Sequence, residues 1–401
     1  MHNKGNVFAF CWQKTKLRNM KTREIVEYLN SCFLPVYQES YDNAGFLVGD
    51  PDREASGVLA TTDVTDEVID EAISLGANLI VSHHPLIFGG LKRLTPANAT
   101  QRMVIRLIEN KIGVYAAHTN LDNLKEGVNG ILAQKLGLTD CSILRPVEGV
   151  LRKLVTYVPT ADADRVRQAL FSAGTGGIGD YDCCSYNSDG FGTFRAGEGC
   201  HPYCGQIGEL HREAETRIEV IYEKRLENKI IRRLLDVHPY EEPAYDCIAL
   251  DNALATVGAG MVGRLPEPMP ADEFLAMVKA RLALPVVRTS QLPNDEPHST
   301  NHNSKFTIQN SEFKIQKVAL CGGSGAFLIG DAKACGADIF LTADLKYHDF
   351  QSAEGQIVLA DIGHFESEQF AKEIFYNAIS KKFSNFACHI SQKDKGYIYY
   401  I

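Results

Sequence analysis

A chain of 401 residues, 45% of them hydrophobic, is longer than one ordinary core organises and points to two or three domains. Its formal net charge of −9 argues against a nucleic-acid surface, which needs clustered Lys and Arg. No apolar run approaches the roughly 20 residues of a membrane helix, so neither nucleic acid nor membrane is an expected partner. Eleven cysteines, an odd number without a regular framework, fit a reducing compartment better than a disulfide scaffold, and the expected location is cytoplasmic.

At the N-terminus, the apolar stretch Val7–Trp12 is shorter than a signal-peptide core of about 7–15 residues. Met20 opens an amphipathic helix through Leu29, so residues 1–19 read as a translation-start extension. Val58–Asp63 then leads through a helical segment to Ala77–Ser82, an apolar run broken only by Asn78 and Ser82. That pattern predicts a buried parallel strand. Pro85 ends it, leaving His83 and His84 at its carboxyl end. A helix over 99–110 and a strand over 113–117 follow, running out into His118 and Asp122.

Near Arg145–Glu148 this pattern lapses. The next stretch reads as a strand over 153–158, a helix over 162–173, and a Gly-, Tyr- and Cys-rich segment through Gly208. Thr216–Tyr222 alternates apolar and polar residues, as a strand with one wet face does. A helix over 224–237 and the segment His238–Asp246 lead into a further strand. The βαβ–βαβ order predicts a ferredoxin-like α+β domain over 150–252. Residues 290–316 are too polar to bury a core and contain a near-repetition, Lys305–Asn310 followed by Glu312–Gln316; a surface loop is expected.

From Val318 the first pattern returns. Val318–Gly323, Gly336–Thr342, a helix near 346–353 and a strand over 356–360 match the earlier strand–helix–strand–helix–strand order. The expected fold is therefore α/β, with a two-lobed βαβαβ pseudo-repeat core over 20–145 and 255–401 and an inserted domain between. The strand ends of both halves are expected to face one cleft, since ligands of open α/β sheets bind at the carboxyl edge.

Three strand ends terminate in metal-competent residues. Successive strand residues point to opposite sides, so His83 and His84 suit one ligand each for two neighbouring metals. His364 and Glu368 share one helix face at i,i+4, a common ligand pair for zinc, manganese or iron. Asp122 is the third element. Asp63 and His118 lie at strand ends beside these ligands and are candidates for general base or for orienting a ligand; His348 ends the strand equivalent to the one carrying His83 and is the candidate for proton donation or substrate contact, with strand-end capping the plainer role for all three. Other features suggest less. Cys200 and Cys204 with His201 between them have no second Cys or His pair at finger spacing. The Gly322–Gly325 turn lacks the Lys-Ser/Thr of a P-loop, so a tight turn outweighs a phosphate cradle. His238–Glu242 reads as a structural turn or an oligomer contact.

The set Tyr41-Asp42-Asn43-Ala44-Gly45-Phe46, Ser82-His83-His84-Pro85, His118-Thr119-Asn120-Leu121-Asp122 and Gly363-His364-Phe365-Glu366-Ser367-Glu368 resembles the GTP cyclohydrolase 1 type 2 homologues, the Nif3-like dinuclear metal proteins. Tyr41 stands where that family usually carries Trp. The resemblance implies two divalent ions per subunit (Zn, Fe, Mn or Ni) held by His83, His84, Asp122, His364 and Glu368. Glu368 would bridge both ions, Asp122 and one of the paired histidines would hold one, and His364 and the other histidine the second. It further implies a PII-like insert, a homo-oligomer in the form of a hexameric ring, and a small-molecule substrate. That substrate would be a nucleotide: the family name implies hydrolytic opening of the guanine imidazole ring of GTP with release of formate. A metal-dependent nucleotide phosphoesterase and a non-enzymatic regulatory or scaffold protein are the competing readings.

Overall fold

The computed structural model describes residues 20–291, 313–399 and 401. The extension expected at 1–19 and most of the loop expected at 290–316 lie outside them. Among the described residues fifteen strands form three sheets, and no helix is long and apolar enough to cross a membrane. The chain divides into two compact units.

The first unit comprises the described residues up to Pro35, with Tyr41–His118 and Lys372–Lys395. Its sheet has the order β1-β4-β3-β2-β15, made of β1 (Gly45–Val48), β2 (Val58–Thr61), β3 (Leu79–Ser82), β4 (Gly113–Ala116) and β15 (Cys388–Ile390). All run parallel except β1, which is antiparallel to β4. Every residue of β2, β3 and β4 is buried, which is why these strands read as continuous apolar runs. The helix Asp66–Leu75 joins β2 to β3. Thr65 starts it by accepting from Val68 N–H at 3.2 Å, and Gly76 ends it at φ 68°, a conformation glycine adopts without steric cost. The helix Ala99–Glu109 joins β3 to β4. Leu59, Ile69, Ile80 and Leu107 are fully buried in the resulting core, each contributing about 1.5–3 kcal/mol by leaving water.

The second unit comprises the described residues of Val36–Ser40, Thr119–Ala371 and Gly396–Ile401. Its six-stranded sheet has the order β11-β14-β13-β12-β10-β5, made of β5 (Thr139–Val147), β10 (Leu254–Pro270), β11 (Arg288–Thr289), β12 (Lys314–Ser324), β13 (Ile339–Ala343) and β14 (Val358–Asp361). β12, β13 and β14 are parallel and are linked by the helices Ile329–Ala334 and Tyr347–Gln351. The second strand–helix–strand–helix–strand run expected from the repeat is therefore present. Lys314–Gln316, placed in the surface loop on composition, belong to β12, where Ile315 is fully buried opposite Met269.

The third sheet, also in this unit, is antiparallel in the order β7-β8-β6-β9: β6 (Leu151–Pro159), β7 (Tyr186–Arg195), β8 (Leu210–Glu223) and β9 (Tyr245–Ala249). Helices Ala163–Ala173 and Glu227–Val237 pack on it through Leu154, Val166, Leu170, Ile218, Ile230 and Leu234. β7 lies in the Gly-rich stretch. Most of its residues are exposed, so it has no buried face to impose an alternation that sequence could reveal.

Two assignments of chain to lobe shift. The helix Val128–Leu136 and β5, counted with the first lobe, lie in the second unit, while Lys372–Lys395, counted with the second lobe, lies in the first. Pairing decides this: β5 bonds to β10, and β15 bonds to β2. Replacing Ile80 by Ala leaves a cavity beneath β3 and is expected to cost about 2–5 kcal/mol, seen as an earlier unfolding transition in urea. Ile73→Ala on the exposed side of its helix is expected to stay within about 0.5 kcal/mol.

Candidate metal centre

In the first unit, β2, β3 and β4 end at Thr61, Ser82 and Ala116, and the residues that follow converge. The β2–β3 ladder continues past the strands, with His83 N–H donating to Thr61 O at 3.2 Å and His84 N–H to Thr62 O at 3.0 Å. Side-chain alternation lapses there. His83, His84 and His118 pack with ring centroids 5.0–5.4 Å apart, and one ring nitrogen of each lies within 4.8 Å of the others. The expectation that neighbouring histidines diverge holds within a strand, and these two lie beyond its end.

Each of these rings is fixed through Nδ1. His83 Nδ1 lies 2.9 Å from Ala117 O, His84 Nδ1 2.9 Å from Asp63 Oδ1, and His118 Nδ1 2.8 Å from Asp42 Oδ1. Carbonyl and carboxylate oxygens only accept, so Nδ1 carries the proton and Nε2 the lone pair, the tautomer that metal-binding histidines show. The Asp63 loop is itself tethered. Buried Asp394 accepts from the N–H groups of Thr62 (2.9 Å) and Asp63 (3.3 Å) and pairs with Lys372 at 3.0 Å.

In the second unit, Asp122 ends the short helix Thr119–Asp122, and Asn129 ties it to β12 by donating to Asp122 O (3.0 Å) and accepting from Gly322 N–H (2.9 Å). His364 and Glu368 occupy one helical turn, with His364 Nε2 3.0 Å from Glu368 Oε2. Glu368 is buried in a cradle that only glycine can form, since a Cβ on Gly323 (φ +62°) would stand 2.1 Å from its Oε1. The glycine turn thus makes room for the chain's own carboxylate. Two of its N–H groups are already engaged, Gly322 by Asn129 and Gly323 by Ser367 Oγ at 2.9 Å, which fits the tight-turn reading over a phosphate cradle.

The charge balance here is strongly negative. Burial, with the Asp122 and Glu368 carboxylates nearby, pushes the Cys321 thiol far up. His364 shows the opposite response. Burial alone would lower its pKa, but Glu368 and then Asp344, whose Oδ2 lies 2.7 Å from Nδ1, outweigh it and raise the ring to about 9. Imidazole with carboxylate is the donor chemistry of zinc, iron, manganese and nickel sites, and the described residues include His, Asp and Glu clusters able to hold a divalent ion.

The model of the Duf34/NIF3 (NGG1p interacting factor 3) family matches residues 20–396. The chain belongs to this family. A Halalkalibacterium halodurans relative called GTP cyclohydrolase 1 type 2 homolog is 40% identical over 308 residues, 77% of this chain and 78% of its own. A Bacillus subtilis relative of the same description is 33% identical over 92% of this chain and 93% of its own. Among solved structures, a Bacillus cereus protein related to NIF3 superposes with a TM-score of 0.79 at 35% identity, covering 96% of this chain and all of that one. A Staphylococcus aureus protein gives 0.74 at 30%, covering 95% and 99%.

Other expected residues of this Duf34/NIF3 chain fall differently. Asp63 and His118 lie against the paired histidines, as described. His348 does not end a strand. β13 stops at Ala343, and His348 is exposed on the helix Tyr347–Gln351, its Nδ1 3.3 Å from Gln351 Oε1. It joins none of the clusters found among the described residues. Asp42, which stands in the Tyr41–Phe46 motif, and Asp344 hold His118 and His364, roles that the motif spacing does not assign. Asp344 had a signal: in the repeat it occupies the position of His84, two residues past Thr342 as His84 is past Ser82. Removing its charge with Asp344→Asn is expected to lower the His364 midpoint from about 9 toward the ordinary histidine value. Nitrogen-detected NMR titration of metal-free protein measures this, and an unchanged midpoint would show that Asp344 does not hold the ring.

Proposed function

We propose that this protein is a metal-dependent hydrolase in which His83, His84, Asp122, His364 and Glu368 hold two divalent ions, with Glu368 bridging. One observation carries the reading. Four imidazoles are each oriented by an oxygen acceptor on Nδ1, a degree of order that packing alone does not require. When bound, a pair of divalent ions supplies hydroxide near neutral pH and polarises the bond under attack. The chain's residues do the remainder. Asp63 holds the ring of His84 and Asp344 that of His364. His118, braced by Asp42, presents Nε2 as a proton acceptor and is the general base. His348, exposed, is assigned to substrate contact.

The substrate is a small molecule, and the name shared by the relatives favours a nucleotide, with one water added at C8 of the GTP guanine ring to break a C8–N bond and open the imidazole, and a second water cleaving the resulting formamide to release C8 as formate. The segment 150–252 is read as a ferredoxin-like, PII-like insert, and the functional form as a cytoplasmic hexameric ring. Light scattering should then give a mass several times that of the 44.3 kDa chain.

Elemental analysis of protein purified without added metal, followed by a nucleotide screen with the metals found, tests the proposal. Glu368→Ala should lose more than one equivalent of metal, and His118→Ala should keep its metal while kcat falls by about 10²-fold or more. Formate from GTP supports ring opening, phosphate supports a phosphoesterase, and neither product supports a regulatory role. Two full equivalents retained by Glu368→Ala would remove the bridging assignment.

A further inference from the structure

We propose a separate metal site in the antiparallel sheet, formed by Cys204, His211 and Glu213 and suited to one borderline divalent cation such as Zn²⁺. A sulfur, a ring nitrogen and a carboxylate oxygen from these residues lie within 4.8 Å of one another, and all three residues are partly buried. His211 and Glu213 are two apart on β8 and share one face of the strand, with His211 Nε2 2.7 Å from Glu213 Oε2.

Cys204 arrives from the preceding loop, and Gly205 makes its approach possible. Gly205 has φ +79°, and a Cβ there would stand 2.8 Å from Cβ and Cγ of His211; only glycine passes so close. The surroundings restrain the donors. Phe194 packs edge-on to His211 at 5.3 Å. The Tyr240 hydroxyl lies 3.8 Å from Cys204 Sγ and donates to buried Glu215 at 2.8 Å.

The chemistry fits a dication. One thiolate and one carboxylate supply two negative charges, and a neutral imidazole completes a Cys-His-Glu set. Tetrahedral zinc ligands stand about 3.3–3.8 Å from one another given the usual bond lengths, so side-chain rotation closes the observed spacing. Three protein donors leave one coordination position open. Beside the set lies a cavity of about 650 Å³ lined by Phe191, Phe194, Tyr203, Glu215 and Tyr240. Partial burial, with Glu213 adding to it, keeps the Cys204 thiol above its ordinary range, so cation binding would release its proton. The sequence feature that first suggests zinc here points to other partners. His201 is exposed, with its N–H bonded to Glu241, and Cys200 lines the cavity.

Titration of the full chain with Co²⁺ tests the site. The residues proposed above for the paired ions include no sulfur, so a near-ultraviolet thiolate-to-cobalt band reports cysteine ligation alone. The band is expected in the native protein, retained in Cys200→Ser and lost in Cys204→Ser, with affinity about tenfold or more weaker in His211→Ala, a change of about 1.4 kcal/mol or more. A second measurement needs no variant: Zn²⁺ should slow alkylation of Cys204 by iodoacetamide, read on the isolated peptide by mass spectrometry. No thiolate band in the native protein, a band indifferent to Cys204→Ser, or equal alkylation with and without Zn²⁺ would each overturn the proposal.

Discussion

A neutral imidazole offers one lone pair, and which nitrogen carries it depends on where the other nitrogen's proton is bound. In this protein that proton is placed four times on Nδ1, by Ala117 O, Asp63, Asp42 and Asp344. The surrounding framework serves to hold those acceptors still. Ala117 continues from β4 with its own N–H on Ser82 O. Asp63 sits in a loop anchored by Asp394, and Asp344 follows β13 in a left-handed conformation at φ 57°. Loosening any one of these would let a ring turn over and present the wrong nitrogen.

The second dependence is electrostatic. Glu368 is almost fully buried, and the charges of both Glu368 and Asp122 are felt at the Cys321 thiol. Carboxylates in such surroundings either take up protons or meet positive charge. His364 supplies that charge by holding its own proton up to about pH 9. A divalent ion would do the same more strongly and would compete with that proton. Gly323 removes the atoms that would fill Glu368's place, so the glycine-rich turn and the buried carboxylate form one device.

The strands and helices of the parallel sheets were legible because they obey local rules. Buried strands read as apolar runs, and caps such as Thr65 and Gly76 mark helix ends. Elements without a buried face or a local period were not. β7 is mostly exposed, and β15 has three half-buried residues whose place beside β2 depends on hydrogen bonds to a strand over 300 positions earlier. Likewise β5 pairs with β10 across the whole third sheet, a partnership that no window of sequence displays.

The sequence by itself determined which donors exist and which strand ends deliver them: His83 and His84 after one apolar run, His364 and Glu368 one helical turn apart. Those relations span a few residues, and backbone geometry enforces them wherever the segment lies. Only the tertiary structure decided that His83, His84 and His118 converge, that Asp42 reaches His118 across 76 positions, that His348 stays exposed, and that Cys204 meets His211 and Glu213 rather than its neighbours in the loop. Strand register and loop conformation set these distances, and both follow from packing summed over the domain rather than from any local pattern.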